Sequence, residues 1–122
     1  MTATLRKIQI DKPGGYDVLK LVEAPLPAVG DDEVLIEVKA CGVNYADGII
    51  RMGLYASAKE LHGYPITPGF ELSGVVSSVG AEVADFHVGD AVVALTLFGG
   101  YCSHIVLKAD PMFAGYEPTG ER

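Results

Sequence analysis

Short alternating segments separated by glycine fill the second half of the chain and restrict its fold more than any other feature. From Leu72 onward the segments are L-S-G-V-V-S-S-V-G, A-E-V-A-D-F-H-V-G-D, A-V-V-A-L-T-L-F-G-G and Y-C-S-H-I-V-L-K. The glycines that punctuate them are Gly69, Gly74, Gly80, Gly89, Gly99 and Gly100. This spacing is typical of short strands bent into a closed sheet. It therefore predicts a mainly β fold, a small β-barrel.

The first half of the chain contains two more strand signals around a glycine turn. Leu5 to Ile10 alternates polar and apolar residues and stops at the turn signal Pro13-Gly14-Gly15. The alternation resumes from Val18 to Glu23. The prolines of Ala24-Pro25-Leu26-Pro27 cannot donate backbone hydrogen bonds. We therefore expect this piece to be an extended connection along the surface.

The clearest strand signal lies between Glu33 and Cys41. Its sequence, E-V-L-I-E-V-K-A-C, follows a turn signal at Gly30-Asp31-Asp32 and places mostly charged residues on one face. The other face carries Val34, Ile36, Val38 and Ala40. We expect a half-buried strand that turns this apolar face toward the core.

The stretch from Gly42 to Glu71 breaks the β-pattern, and a rigid scaffold often displays functional residues on such stretches. Asn44, a residue type that favours the N-cap, precedes residues at helical offsets. These residues are Ala46, Ile49, Ile50 and Gly53. The pattern predicts a short helix. Leu54 to Pro68 has no steady period and is predicted to be a loop crossing the surface.

The length and composition of the chain limit its domain organisation. With 122 residues, of which 49% are hydrophobic, it can bury one ordinary core. We expect a single domain over residues 1–110. The segment at 111–122 carries two prolines and two glycines without periodicity, so we expect a loosely held tail.

The charge balance and the apolar runs exclude some partners and locations. Nine basic and sixteen acidic residues give a formal net charge of −7, which repels phosphate backbones and argues against nucleic acid. No apolar run reaches the roughly 18 residues of a membrane span, and the N-terminus lacks the apolar middle of a signal peptide. We therefore expect a cytoplasmic protein, in which Cys41 and Cys102 are buried free thiols rather than a disulfide.

Several ordered motifs between Leu5 and Asp110 resemble a known family. They are V-L-I-E-V-K-A-C-G-V-N-Y-A-D, R-M-G-L-Y, P-I-T-P-G-F-E-L-S-G-V-V-S-S-V-G and F-H-V-G-D-A-V. On these motifs the chain resembles the N-terminal, chaperonin-10-like (GroES-like) catalytic domain of the zinc-independent quinone oxidoreductases, a group of medium-chain dehydrogenase/reductases. N-Y-A-D followed by R-M-G-L-Y is also similar to the branch of vesicle amine transport protein homologues. The resemblance implies a mainly β, partly open barrel with one or two short helices.

The resemblance also implies that no catalytic zinc is bound. Zinc-dependent relatives place a Cys in G-x-C-x-x-D and a His in G-H-E, where this chain has Asn44 and Phe70. An amide and a phenyl ring are not adequate zinc ligands. The three histidines form no H-x-x-H or H-x-x-x-H pair, which favours ordinary surface or loop residues. Glu71 is interpreted as a strand-end carboxylate.

By resemblance, the activity is reduction of a quinone or enone by NADPH. Such acceptors take up hydride away from the carbonyl oxygen, and the resulting oxyanion needs a hydrogen-bond donor rather than a metal. The resemblance implies catalytic contacts from Asn44 and Tyr55 and cofactor contacts from Asn44 and Tyr45. The residues leave another interpretation open, in which Asn44 only caps the helix and both tyrosines only fill the barrel mouth. Asp47 is expected to pair with Arg51, four residues on.

A nucleotide-binding unit is missing from the sequence. The chain contains no G-x-G and no alternation of parallel strands and helices, which a Rossmann unit requires. In relatives, the nucleotide domain and a returning segment follow the barrel. We therefore expect both beyond Arg122, and we expect this chain to be inactive alone. Self-association as a homo-oligomer is one way to cover the apolar face left exposed.

Two other functions stay open. The first is a stand-alone module that binds a small molecule or a protein partner without turnover. The second is a co-chaperonin, whose mobile loop would have to be Leu54 to Pro68, a segment interrupted by Lys59, Glu60 and two prolines. The residues do not determine the acceptor, the choice between NADPH and NADH, or the oligomeric state.

Overall fold

The computed structural model describes residues 3–109, which form a mainly β domain with two short helices. The strands are β1 (Thr4–Ile10), β2 (Leu19–Pro25), β3 (Glu33–Cys41), β4 (Glu71–Val79), β5 (Ala91–Leu95) and β6 (His104–Lys108). The helices are α1 (Tyr45–Arg51) and α2 (Ala56–Leu61), and a 3-10 turn covers Tyr16–Val18. The predicted fold class is confirmed. The tail predicted at 111–122 lies outside the described residues.

Two antiparallel sheets form a partly open barrel. β1 pairs with β2, and the second sheet has the strand order β5-β4-β3-β6. Isolated bridges join Lys7 and Ile10 of β1 to Cys102 and Ile66, which lie in the segments before β6 and β4. Within residues 3–109 the sheets do not close fully. The partly open barrel implied by the resemblance is therefore confirmed, and the closed sheet expected from the glycine spacing is wrong.

The segment at 81–90 forms turns where its sequence predicts a strand. The backbone N–H groups of Val83 and Asp90 donate to the carbonyls of Gly80 and His87 at 3.1 and 3.0 Å. The Asp90 carboxylate also accepts a hydrogen bond from the backbone N–H of His87 at 2.8 Å. These local bonds occupy backbone groups that a strand would offer to its neighbour. The sheet consequently has one strand fewer than expected.

β2 extends into the segment that its prolines predict to be a surface connection. Pro25 lies opposite Thr4 in the ladder, and the backbone N–H of Leu26 donates to the carbonyl of Ala3 at 3.1 Å. β2 has a single neighbour in this sheet, so the N–H that proline lacks can face away from the ladder. The prediction of a connection is therefore wrong for Ala24 and Pro25.

β3 has the predicted bounds but not the predicted alternation. Leu35 is buried together with Val34 and Ile36, whereas Ala40 is exposed. The register against β4 shifts between Leu35 and Ile36 and again between Val38 and Ala40. Such irregularities bend a strand and disturb the alternation of its faces. The prediction that Ala40 faces the core is wrong for this reason.

Two apolar clusters form the core. The first lies on the four-stranded sheet and contains Val34, Ile36, Leu72, Val76, Val92 and Ala94. The second lies under the helices and contains Ile10, Val18, Ile50, Ala58 and Ile66. α2 falls in the segment predicted to be a loop, and its Ala58 is completely buried. Burial of this small face stabilises a helix too short to show a period in sequence.

No helix within residues 3–109 combines the length and apolar character needed to cross a membrane.

The two cysteines are free thiols, as predicted, but their environments differ. Cys41 is exposed at the end of β3, and Cys102 is half-buried. The prediction of burial is therefore wrong for Cys41. The last residues of β3, from Lys39 onward, lie on the surface, so an apolar strand context did not guarantee burial there.

Candidate functional site

Asn44 begins α1 and defines one side of the candidate site. Its extended backbone (φ −117°, ψ 154°) is that of an N-cap residue, which confirms the N-cap prediction. The Asp47 Oδ2 atom accepts a hydrogen bond from the Asn44 backbone N–H at 2.9 Å. Asn44 and the adjacent Tyr45 are exposed, Tyr45 to 87%. Both side chains are therefore accessible to a ligand or to another domain.

Asp47 is buried, with 5% of its surface exposed. Its Oδ2 atom also accepts a hydrogen bond from the Tyr101 hydroxyl at 2.7 Å, and its Oδ1 atom has no hydrogen-bond partner among the described residues. The predicted pairing with Arg51 is wrong. The Arg51 Nη1 atom donates to the Gly14 carbonyl at 2.7 Å, and the guanidinium lies 4.5 Å from the centre of the Tyr16 ring. Arg51 thus contacts the turn after β1, while Asp47 contacts the interior.

Tyr101 connects α1 to the loop before β4. Its backbone N–H donates to the Pro68 carbonyl at 2.9 Å, and a Cβ at Gly69 would lie 2.8 Å from its Cδ1 atom. Gly69 has φ +114°, so only glycine provides both this conformation and the space for the ring. Burial, and then the hydrogen bond to Asp47, raise the pKa of the Tyr101 phenol. The hydroxyl therefore stays protonated at neutral pH and acts as a donor.

Tyr55 belongs to an aromatic cluster, which we define as Tyr55, Phe70, Phe98 and His62. The ring centroids of Tyr55 and Phe70 are 6.1 Å apart, and those of Phe70 and Phe98 are 5.7 Å apart. His62 contacts Phe98 edge-on at 5.7 Å. These distances are typical of favourable aromatic pairs. The phenylalanines and Tyr55 are half-buried, and a groove of about 660 Å³ opens beside His62 and Phe98.

The two positions that hold zinc ligands in the zinc-dependent relatives have different surroundings here. Asn44 caps α1, and Phe70 lies within the aromatic cluster. Within residues 3–109, no three His, Cys, Asp or Glu side chains are grouped so that they could hold a metal ion. Glu71 is exposed at the start of β4, where a Cβ at Gly42 would lie 2.0 Å from its Oε1 atom. Its place therefore agrees with the interpretation as a strand-end carboxylate.

The structure brings only some of the predicted site residues into contact. Tyr55 contacts Phe70, but no hydrogen bond or aromatic contact between described residues joins Tyr55 to Asn44 or Tyr45. Sequence reasoning missed the contact between Asp47 and Tyr101, which are 54 positions apart. It also missed the contribution of Phe98, because A-V-V-A-L-T-L-F-G-G reads as a strand. The glycine pair before Tyr101 was the one available signal of close packing there.

The described strands are not arranged as a Rossmann unit. All strand pairs within residues 3–109 are antiparallel, whereas a Rossmann unit binds the phosphates between parallel strands and a helix. The exposed amide of Asn44 and ring of Tyr45 could contact a nicotinamide. The phosphate-binding groups would have to come from another domain.

The comparison with protein families is decisive for identity. The family model described as the alcohol dehydrogenase GroES-like domain matches residues 30–120, well over half of the 122 residues. The chain belongs to this family. Its partly open barrel is therefore a GroES-like domain, as the sequence motifs implied.

Individual relatives are oxidoreductases or homologues of a vesicle protein. The synaptic vesicle membrane protein VAT-1 homolog of Danio rerio is 42% identical over 113 residues, covering 92% of this chain and 23% of that protein. The quinone oxidoreductase of Sus scrofa is 39% identical over 108 residues, covering 87% and 32%. The crystal structure of Escherichia coli quinone oxidoreductase complexed with NADPH matches with a TM-score of 0.77 and 34% identity, covering 95% and 33%.

This GroES-like domain thus spans only 23% to 33% of the length of these relatives. The similarities confirm the resemblance to the quinone oxidoreductase group and to the vesicle protein branch. They identify the chain as a domain of an oxidoreductase family.

Proposed function

We propose that this GroES-like domain forms the acceptor side of the active site in an NADPH-dependent reductase of quinones or enones. The nucleotide would be bound by a separate Rossmann domain. The observation that carries the proposal is the aromatic cluster of Tyr55, Phe70 and Phe98, of which Phe98, together with His62, lines an open groove. Phe70 occupies the position of a zinc ligand in the zinc-dependent relatives, so this site presents an apolar ring where they present a metal.

An aromatic cluster suits a flat, conjugated acceptor. Quinone rings and enones stack favourably on aromatic faces, and a pocket of this kind needs only a few polar groups to set orientation. Tyr55 offers both an aromatic face and a phenolic O–H. The acceptor would therefore lie against the cluster, with its carbonyl turned toward a donor.

Asn44 and Tyr55 are the two candidate donors for the acceptor oxygen in this proposal. Bound NADPH would supply the hydride that adds to the acceptor. The carbonyl oxygen then carries negative charge, which the amide N–H of Asn44 or the hydroxyl of Tyr55 stabilises by hydrogen bonding. Tyr45 is exposed next to Asn44 and would contact the nicotinamide.

Joining this chain to the nucleotide-binding domain of Escherichia coli quinone oxidoreductase tests the proposal. We expect this hybrid reductase to oxidise NADPH in the presence of an ortho-quinone or an enone. Absence of turnover in a folded hybrid that binds NADPH would contradict the proposal.

Variants of Asn44 and Tyr55 measure how much each side chain contributes to kcat. Asn44→Ser keeps an N-cap oxygen but removes the amide donor, and Tyr55→Phe keeps the ring but removes the hydroxyl. Loss of an oxyanion donor costs about a hundredfold in kcat, so we expect a decrease of this order at the residue that contacts the oxyanion. Tyr16→Phe, at a ring that is 81% exposed, is the control and should not change kcat. An unchanged kcat in both variants would show that Asn44 serves only as a helix cap and Tyr55 only as a packing residue.

The stand-alone interaction module remains the second candidate, because several large apolar side chains are exposed, including Val43 to 80% and Leu54 to 71%. It predicts binding of a small molecule or protein by the 122-residue chain without NADPH, measurable by calorimetry. Cytoplasmic location stays a prediction, which fractionation of cells producing the tagged protein would test.

A further inference from the structure

Two segments of the candidate site are joined by one buried carboxylate. Asp47 Oδ2 accepts hydrogen bonds from the Asn44 backbone N–H at 2.9 Å and from the Tyr101 hydroxyl at 2.7 Å. Both donors converge on the same oxygen of a residue that is 5% exposed. Hydrogen bonds to an ionised acceptor are stronger than neutral ones, and low local polarity strengthens them further. The first turn of α1 is therefore attached firmly to the segment before β6.

Tyr101 is held from its other side by the loop that carries Phe70. The Tyr101 backbone N–H donates to the Pro68 carbonyl at 2.9 Å. Its ring packs against Gly69, where a Cβ would come within 2.8 Å of the Tyr101 Cδ1 atom. Close packing on both sides restricts the ring to the orientation that reaches Asp47. Tyr101 thus links the Asn44 side of the candidate site to the Phe70 side.

We propose that Tyr101 is a positioning residue for Asn44. Through the Asp47 carboxylate it fixes the first turn of α1 relative to Phe70, so that the Asn44 amide keeps its alignment with an acceptor on the aromatic cluster. The effect on the acceptor rests on the proposed function, whereas the attachment of α1 does not.

The phenol of Tyr101 is suited to this role over a wide pH range. Its pKa is raised mainly by burial, so the hydroxyl retains its proton well above neutral pH. The groups facing it are the Asp47 carboxylate from α1 and, farther off, the Cys41 thiol at the end of β3. The attachment should therefore be maintained at the neutral and mildly alkaline pH at which reductases are assayed.

Amide hydrogen exchange on the 122-residue chain tests the attachment. Tyr101→Phe keeps the ring and removes the hydroxyl. The matched control is Tyr64→Phe, which removes a hydroxyl that donates to the Ile50 carbonyl near the other end of α1. We expect Tyr101→Phe to speed exchange of the Asn44 backbone N–H by about tenfold, the factor for one hydrogen bond to a charged group. After correction for global stability, Tyr64→Phe should leave the exchange rate of the Asn44 N–H unchanged. Equal exchange rates in the two variants would overturn the proposal.

A second variant keeps the test decisive if Tyr101→Phe does not fold. Asp47→Asn has the same shape but an uncharged acceptor, which weakens both hydrogen bonds. In a folded Asp47→Asn chain the backbone N–H of Tyr101, which donates to Pro68 and not to Asp47, should exchange faster, and this result supports the attachment. Exchange at the wild-type rate contradicts it.

Kinetics of the hybrid reductase test the effect on the acceptor. Tyr101→Phe should lower kcat by about tenfold, because the alignment of Asn44 is lost, and leave the KM for NADPH unchanged, because the Rossmann domain still binds the nucleotide. Tyr64→Phe should match the parent hybrid. Equal kcat in both variants would overturn the positioning role. If the parent hybrid itself is inactive, the proposed function fails, and the exchange rates alone decide whether Tyr101 holds α1.

Discussion

At the residue scale, Asp47 and Arg51 differ most from their sequence interpretation. Their i, i+4 spacing predicts an ion pair on the surface of α1. In the structure Asp47 accepts hydrogen bonds from Asn44 and Tyr101 in the interior, while Arg51 contacts Gly14 and stacks on a tyrosine. The spacing rule identifies neighbours along a helix, but the tertiary fold decides which of them face the core.

The cysteines yield a prediction at the same scale, because their environments differ. Burial raises the pKa of the half-buried Cys102 thiol to about 11, whereas Cys41 is exposed. The thiolate is the reactive form, so Cys41 should be alkylated by iodoacetamide well before Cys102 at pH 8. Peptide mass spectrometry of the folded chain measures the two rates. Equal rates in the folded chain would contradict the prediction. As a control, both thiols should react at the same rate when urea unfolds the chain.

The raised pKa of the Cys102 thiol also predicts that the folded chain loses stability at alkaline pH. Between the ordinary value of 9.0 and about 11, the Cys102 thiol ionises in the unfolded chain but keeps its proton in the folded one. The contribution of this group to stability is complete below pH 9 and decreases as pH rises through this interval.

At the element scale, local signals and tertiary packing decide different parts of the fold. The bounds of β1, β3 and β4 follow their sequence signals closely, and α1 begins after its predicted N-cap. α2 and the turns at 81–90 do not, since one is stabilised by burial of Ala58 and the other by turn hydrogen bonds. Weakly patterned segments therefore adopt the structure that their surroundings favour.

Two glycines in these elements should respond oppositely to alanine. A Cβ at Gly74 in β4 would lie 2.2 Å from the backbone oxygen of Glu37, whereas a Cβ at Gly48 in α1 would meet nothing within 4 Å. We expect Gly74→Ala to lower the free energy of unfolding by about 1–3 kcal/mol, because the β3 backbone must shift. Gly48→Ala should raise it by about 0.5–1 kcal/mol by reducing backbone entropy in the unfolded chain. Urea unfolding measures both, and shifts of the same sign would contradict the packing.

At the scale of the whole molecule, the exposed apolar surface is the most informative feature. Val43, Leu54, Leu61 and Leu97 are exposed to between 61% and 80%. Most large apolar side chains of a monomeric domain are covered, and exposed groups of them often mark interfaces. The chain also spans only 23% to 33% of its relatives. Both observations support a partner domain that covers some of these side chains in the proposed reductase.

The exposed surface predicts self-association of the 122-residue chain in the absence of that domain. Sedimentation velocity should show larger species as concentration rises. Leu54→Ser should weaken the association because it removes an apolar side chain that is 71% exposed. Lys12→Ser, at an exposed polar position, is the control. A single monomeric species at all concentrations would contradict the prediction.

The sequence by itself determined most of the strand segments, the N-cap of α1 and the family, but not the turns at 81–90. These depend on alternation, capping chemistry and motif order, which are properties of neighbouring residues. The exposed and buried faces of β3 were predicted only in part, because bulges against β4 change the alternation.

Only the tertiary structure decided that Asp47 meets Tyr101, that Tyr55 packs against Phe70, and that the barrel is partly open. Contacts of this kind join residues far apart along the chain. They depend on the path of the intervening backbone and on which side chains compete for the same buried space. No local pattern contains that information.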